Sequence, residues 1–299
     1  MGHIMKRLLF VYNPKAGKAG ICNCLSDVID KFVKKGYEVT IYPTQCKGDG
    51  EVKVRERQAV YDRIICSGGD GTLDEIVTGM ICSGEKVPIG YIPAGSTNDF
   101  ARSIKIPRNM RKAADIAAAD NYFSCDIGKF NDRYFVYVAA FGLFTDVTYE
   151  TDQNLKNHFG YAAYVAEAIK RLQSIEAIPL TIEYDGNVIT GNFIVGMITN
   201  SNSVGGMRAL TGPNVELNDG LFEVLLIKEP ESVIELNSIP PAILDRRLKS
   251  DCVITFKCSS MSIKSDEPIS WTLDGEFGGC VNKVQIDNLN KAVEFVVPE

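Results

Sequence analysis

The sequence predicts an α/β protein in two parts: a parallel sheet flanked by helices, then a β-rich antiparallel sandwich or barrel. Three observations carry this. In the first third, short apolar runs alternate with helical patterns, the order that builds a parallel sheet with helices on both faces. Each of those runs exits into a turn rich in Gly, Pro, Asn or Ser. Beyond Pro179 nearly every apolar run has strand length, and an Asp-Gly pair joins two of them.

In order, residues 7–12 form an apolar run that ends in Asn13-Pro14. Ile21, Leu25, Val28, Ile29, Phe32 and Val33 then recur at helical spacing, which predicts one amphipathic helix. Residues 37–42 read as the second strand, followed by a polar stretch over 47–51. Residues 63–66 read as the third strand, 73–81 as a helix and 88–92 as the fourth strand. The pattern changes near Ser124. Residues 134–141 read as a strand and 154–175 as the longest helix. Strands follow at 180–184 and 188–198 as a hairpin about Asp185-Gly186, then at 221–227, 253–258, 261–264, 269–273, 284–286 and 293–297.

Composition excludes several classes. Apolar residues make up 45% of the 299 and charged residues 23%, which is enough to build a core. The formal charge of −6 argues against a nucleic-acid binder, so no nucleic-acid partner is expected. Nine cysteines, an odd number without CxxC spacing, predict small buried thiols rather than disulfides or a zinc site. With no signal-peptide pattern and no apolar run of about 20 residues, a cytoplasmic chain is expected.

The strongest motif is Ser67-Gly68-Gly69-Asp70-Gly71-Thr72, between a strand and a helix. Glycines let backbone approach a ligand, and amides at a helix start favour phosphate. An aspartate in such a loop implies a cation that offsets its charge. The motif lacks the GK[ST] ending of a Walker loop. A second strand-to-helix turn is Gly95-Ser96-Thr97-Asn98-Asp99, where four polar residues exceed what one helix cap needs. The exit of the first strand, Asn13-Pro14-Lys15-Ala16-Gly17, shares the same sheet edge. Ligands bind at that edge of a parallel sheet, so three such turns predict a nucleotide site. Leu273-Asp274-Gly275-Glu276, taken alone, reads as a hairpin turn.

These motifs, with Asp126-Ile127-Gly128, residues 156–164 and Asn218-Asp219-Gly220, occur in one order along nearly the whole chain. In that order the sequence resembles the bacterial diacylglycerol kinase-like family of soluble lipid kinases, similar in the catalytic domain to sphingosine and ceramide kinases. The resemblance implies a nucleotide domain over 5–125, related to phosphofructokinase and NAD kinase, to which a C-terminal segment, 288–299, returns. It implies a β-rich domain over 126–287, with the active site between the two.

The resemblance also implies roles. Asn13, Pro14, Lys15, Ala16, Gly17, Thr44, Gly69, Asp70, Gly71, Thr72, Leu73, Asp74, Glu75 and Ser96 would line ATP. Asp70, Asp99 and Asp126 would organise a catalytic Mg2+ and the phosphates. Glu276 would be the general base toward a lipid hydroxyl. Asp219 and the carbonyls of Glu216 and Leu221 would hold a second, structural Mg2+. Ala16, Ser96, Asp74, Asn218 and Glu223 depart from the family's usual residues, and Asp74 adds negative charge near the phosphates. The implied partner is a lipid alcohol met at a membrane surface, diacylglycerol first, with transient membrane association and room for a homodimer. Other lipid alcohols, or a soluble substrate such as NAD, are the alternatives, as is a non-catalytic lipid-binding regulator. Arg102, Lys105, Arg108, Arg111 and Lys112 form a basic cluster that either faces anionic headgroups or is a solvated surface.

Overall fold

Leu8, Leu9, Phe10 and Val11 are fully buried in β1 (Lys6–Tyr12), as an apolar run covered on both faces requires. The computed structural model describes residues 5–17, 20–57, 60–142, 175–208, 210–212, 214–245 and 249–299. β1 pairs in parallel with β2 (Tyr37–Pro43) and β3 (Arg63–Gly68), and β3 pairs in parallel with β4 (Ile89–Pro93). All four therefore exit at one edge.

The helix expected through residues 21–33 is divided. Ile21 lies in a 3-10 turn, Gly20–Asn23, and α1 (Leu25–Lys34) starts after Cys24, whose φ of −130° is not helical. Where the sequence reads only as polar, α2 (Asp49–Arg57) forms. It lacks an apolar stripe and is held by close backbone approach to α3 (Asp70–Ser83). A β-carbon on Gly79 of α3 would stand 2.6 Å from the Glu51 carbonyl oxygen. Two short helices follow β4, α4 (Asp99–Ser103) and α5 (Met110–Ala117).

The chain then becomes antiparallel. β5 (Tyr122–Phe130) pairs with β6 (Arg133–Phe135), and β7 (Val138–Phe141) follows after a break. The Asp185-Gly186 hairpin joins β8 (Ile178–Tyr184) to β9 (Asn187–Thr199), with φ of 43° and 81° at the turn. β10 (Phe222–Lys228) and β11 (Val253–Cys258) extend from β9, and α6 (Val233–Leu244), absent from the sequence reading, lies between them. β12 (Ser260–Leu273) joins two predicted strands into one and pairs with β7 and β8. Because β9 also pairs with both, β7, β9, β8 and β12 close into a barrel. Phe141 and Trp271 fill it, with ring centroids 5.0 Å apart.

β13 (Glu276–Val296) unites two more predicted strands over 21 residues. It leaves β12, runs antiparallel to β5, and ends parallel to β4, with Phe295 opposite Ile89. The described strands thus form one continuous sheet of thirteen. The nine cysteines are unpaired thiols, but the expectation of burial holds for five. Cys22, Cys46, Cys82 and Cys280 are exposed. All but the last residue of the predicted helix over 154–175, and the motif over 156–164, lie outside the described residues.

Candidate active site

The three strand exits meet in contact. A β-carbon on Gly17 (φ 54°) would stand 2.4 Å from the Ala94 carbonyl oxygen, and one on Gly95 would stand 2.6 Å from the Gly69 Cα. Glycine is required at both by the approach itself. The Asn13 amide donates to the Ser67 carbonyl at 2.8 Å, and the Lys15 amide donates to Asn13 Oδ1 at 2.9 Å, which folds Pro14 and Lys15 into a tight turn with Ala16 buried. The Thr44 amide donates to the Tyr12 carbonyl at 2.9 Å and brings the exit of β2 alongside. Ser96 is exposed at the rim, where its carbonyl and that of Thr97 accept from Arg108.

Asp70 opens α3. Its Oδ2 accepts from the Asp99 amide at 3.3 Å, while its Oδ1 is buried without a hydrogen-bond partner. Burial, and behind it the Asp99 carboxylate, push Asp70 up to about 6. One turn along, Asp74 Oδ1 is likewise buried without a hydrogen-bond partner. Burial, then Asp274 and Glu276, push that carboxyl well above the usual carboxylate range. Glu75 accepts from the Gly48 amide at 2.7 Å and the Gly50 amide at 3.1 Å, so it anchors the start of α2. Thr72 packs on Gly68, whose β-carbon would meet Thr72 Oγ1 at 2.4 Å. Leu73 turns its side chain into the core and its amide bonds the Gly69 carbonyl, so neither faces the cleft.

The β12–β13 hairpin approaches from the barrel. Asp274 and Gly275, at φ 51° and 83°, form its turn. The buried Asp274 carboxylate accepts from the amides of Val136, Tyr137 and Val138 at 2.6, 2.9 and 2.9 Å. Those bonds draw three amides out of the ladder, which is why one predicted strand over 134–141 is broken into β6 and β7. Burial still pushes Asp274 up to about 7 against the pull of these donors. The turn delivers Glu276 to the start of α3: a β-carbon on Gly71 would stand 2.4 Å from Glu276 Oε1. Lys47 forms an ion pair with the other carboxylate oxygen. Between hairpin and sheet edge lies a cavity of about 230 Å³, lined by Asp70, Thr97, Asp99, Tyr137, Asp274 and Gly275 among others.

Of the carboxylates expected beside Asp70, Asp99 shares its cavity and Asp126 lies elsewhere. Asp99 lines the cavity, but its oxygens accept from Ser203 Oγ at 3.0 Å and from the amides of Gly205 and Gly206 at 2.8 and 3.0 Å, pinning the 201–206 loop over the cavity. Asp126 does not line that cavity. Its carboxylate accepts from the Gly220 amide at 2.7 Å, the Lys291 amide at 2.7 Å and Asn290 Nδ2 at 3.0 Å, so it joins the Asp219 turn to β13. Asp219 accepts from the Leu221 amide at 3.0 Å and from Lys257 Nζ at 3.1 Å, and the same ammonium lies 3.0 Å from Glu223 Oε1. Lys257 thus holds, between Asp219 and Glu223, positive charge at the turn where the second cation is expected. Asp274 and Lys47 had no assigned role in the sequence reading. The Asp-Gly turn pair signals the first only as a turn, and nothing signals the second.

Among the described residues no three His, Cys, Asp or Glu side chains converge closely enough to hold a metal ion by themselves. The two orphaned oxygens of Asp70 and Asp74 nevertheless suit a hard divalent cation whose other positions are taken by water and phosphate, the usual manner of magnesium. No helix of the described residues is long and apolar enough to cross a membrane.

The sequence profile for a diacylglycerol kinase catalytic domain matches residues 7–130, and that for the YegS C-terminal NAD kinase β-sandwich-like domain matches residues 138–294. A diacylglycerol kinase of Bacillus subtilis (strain 168) is 33% identical over 297 residues, covering 99% of this chain and 97% of the relative. One of Staphylococcus aureus (strain MRSA252) is 36% identical over 295 residues, covering 98% and 93%. A crystal structure of a diacylglycerol kinase from Bacillus anthracis str. Sterne shares the fold, with a TM-score of 0.80 at 24% identity over 100% of this chain and 99% of that one. With both halves matched in order and relatives aligned end to end, this chain belongs to the bacterial diacylglycerol kinase family and is a phosphotransferase.

Proposed function

We propose that this kinase transfers the γ-phosphoryl group of ATP to a lipid hydroxyl, with diacylglycerol as acceptor and phosphatidic acid as product. The observation that carries the reading is the placement of Glu276 over Gly71, the residue that follows Asp70, whose Oδ1 is buried and unpartnered. A base from the barrel therefore faces a phosphate-favouring helix start on the nucleotide part. Phe277, 65% exposed, stands next to the base as an apolar side chain suited to a lipid. The whole-length relatives named diacylglycerol kinase support the choice of acceptor.

In this reading the three strand exits cradle the triphosphate with backbone groups. Asp70 and Asp74 face a magnesium ion, which when bound offsets phosphate charge. Glu276 takes the proton of the lipid hydroxyl as its oxygen attacks in line. Asp274 holds the hairpin that presents the base. Asp99 holds the 201–206 loop over the cleft. The membrane is met from the rim. Of the basic cluster, Arg111 is engaged by Asp27 and Arg108 by the Ser96 and Thr97 carbonyls, while Lys105 and Lys112 are exposed for anionic headgroups.

The test is phosphate transfer from labelled ATP to a panel of lipid alcohols in mixed micelles, with and without magnesium, and with NAD as the soluble comparison. Transfer to diacylglycerol above the other alcohols supports the reading. Transfer to NAD alone overturns it.

A further inference from the structure

Lys47 is an exposed lysine on the loop between β2 and α2, and it meets Glu276 across the cleft. Glu276 Oε1 in turn stands over Gly71, the second residue of α3. The ammonium is thus held one carboxylate away from the helix start that favours phosphate. The loop beneath it is fixed. The Thr44 amide donates to the Tyr12 carbonyl on one side of Lys47, and the Gly48 amide donates to Glu75 Oε1 at 2.7 Å on the other. Asp49 accepts from Tyr42 Oη at 2.8 Å and from the Gln45 amide at 2.7 Å. The side chain itself is free to swing, being 74% exposed on a four-carbon stem. An exposed lysine–carboxylate pair holds weakly, and a triphosphate carries more charge than one carboxylate.

We propose that Lys47 is a catalytic residue that leaves Glu276 for the γ-phosphate when the triphosphate binds, adding positive charge to the transferring group and freeing the base. The proposal rests on the kinase reading of the same site. In the step, the lipid hydroxyl oxygen bonds to the γ-phosphorus. The bond from that phosphorus to the bridging oxygen breaks, and its electron pair leaves on ADP. The hydroxyl proton passes to Glu276, and Lys47 keeps its proton throughout.

The experiment compares wild type, Lys47→Met and Lys47→Arg for calorimetric binding of a non-hydrolysable ATP analogue and of ADP, both with magnesium, and for lipid turnover. Lys47→Met should weaken the triphosphate analogue about tenfold, the loss of one charge-assisted contact, and leave ADP affinity unchanged. Its kcat should fall about 10- to 100-fold, as on removing a donor to developing charge. Lys47→Arg should restore most of both, and the thermal midpoint should not move in either variant. Equal affinities in wild type and Lys47→Met, or parallel loss for ADP and the triphosphate, would overturn the proposal. Lys47-dependent preference for the triphosphate in a protein that phosphorylates no lipid would retain Lys47 and remove the lipid assignment instead.

Discussion

Glu276 closes over Gly71 so tightly that a β-carbon on the glycine would stand 2.4 Å from Glu276 Oε1. The two residues are some two hundred positions apart and belong to different halves of the molecule. Their contact brings a carboxylate of the barrel hairpin to the helix start of the parallel sheet.

Glu276→Gln keeps the shape of the side chain and loses its proton affinity. Turnover at saturating lipid should fall by roughly 100- to 10,000-fold, the range for loss of a general base. ATP affinity, measured directly, should change little, because the nucleotide cradle is built from the strand exits. Near-normal kcat would remove the base assignment.

Gly71→Ala tests the contact from the other side. The atom it meets is the far end of a flexible side chain, so the fold should tolerate the methyl group while the carboxylate moves away. A displacement of about 1 Å at a reacting group lowers rates by about 100-fold. The expected result is an unchanged melting curve with strongly reduced turnover. A large drop in thermal stability would show instead that the contact is rigid packing.

Asp74→Asn should stabilise the protein in a pH-dependent way. Burial, Asp274 and Glu276 raise the folded-state pKa of Asp74 well above the ordinary carboxylate range. For an acid shifted upward, stability is fully present below the unfolded pKa and is lost as pH rises through the folded one. The advantage of the asparagine variant should therefore be absent near pH 3.5 and grow as the pH is raised toward neutrality, read by melting in EDTA. Added magnesium should shrink it, since a cation near the carboxylate relieves the same penalty. An advantage independent of pH would mean that Asp74 does not change its protonation on folding.

The Lys257 cluster yields an opposite pair of variants. Lys257→Met leaves Glu223 without its cation and should destabilise by about 1–2 kcal/mol, less than for a fully buried pair because Lys257 is 37% exposed. Glu223 is pushed up to about 7 by burial, against the pull of Lys257, so its ionisation withdraws stability as pH rises from about 4.5 through 7. The deficit should be larger at pH 8 than at pH 5. If the Asp219 turn also accepts magnesium, Lys257→Met should gain more from the added ion than wild type, and Asp219→Ala should gain less. Calorimetric scans with and without magnesium decide this, and identical gains in all three proteins would exclude a cation there.

The fold and the strand exits were legible because each depends on local chemistry. Gly68, Gly69 and Gly95 sit in short runs whose glycines and small polar residues have few other uses at a strand end. The Asp-Gly pair before Glu276 signalled only a hairpin turn, and its order among the other motifs is what drew attention to Glu276. Asp274 was legible as a turn residue only, because its three amide donors lie at residues 136–138, far away in sequence. Helix α2 was hidden by its lack of an apolar stripe, since it is held by the bare backbone at Gly79. Asp126 was grouped with Asp70 and Asp99, and no spacing in the chain reveals that Gly220, Asn290 and Lys291 claim its oxygens. Lys47 carries no local signal at all, because its partner is 229 residues downstream.

The course of β13 bears on how the molecule is made. β4 gains its second neighbour only when Phe295 and Val296 arrive, after every other strand has been synthesised. Until then the nucleotide sheet presents an open, apolar edge of the kind that recruits stray strands. Pairings this distant in sequence form slowly, because the intervening chain must first be brought together. The nascent nucleotide half therefore emerges from the ribosome long before that edge is sealed, and through that interval it is exposed to pairing with other chains.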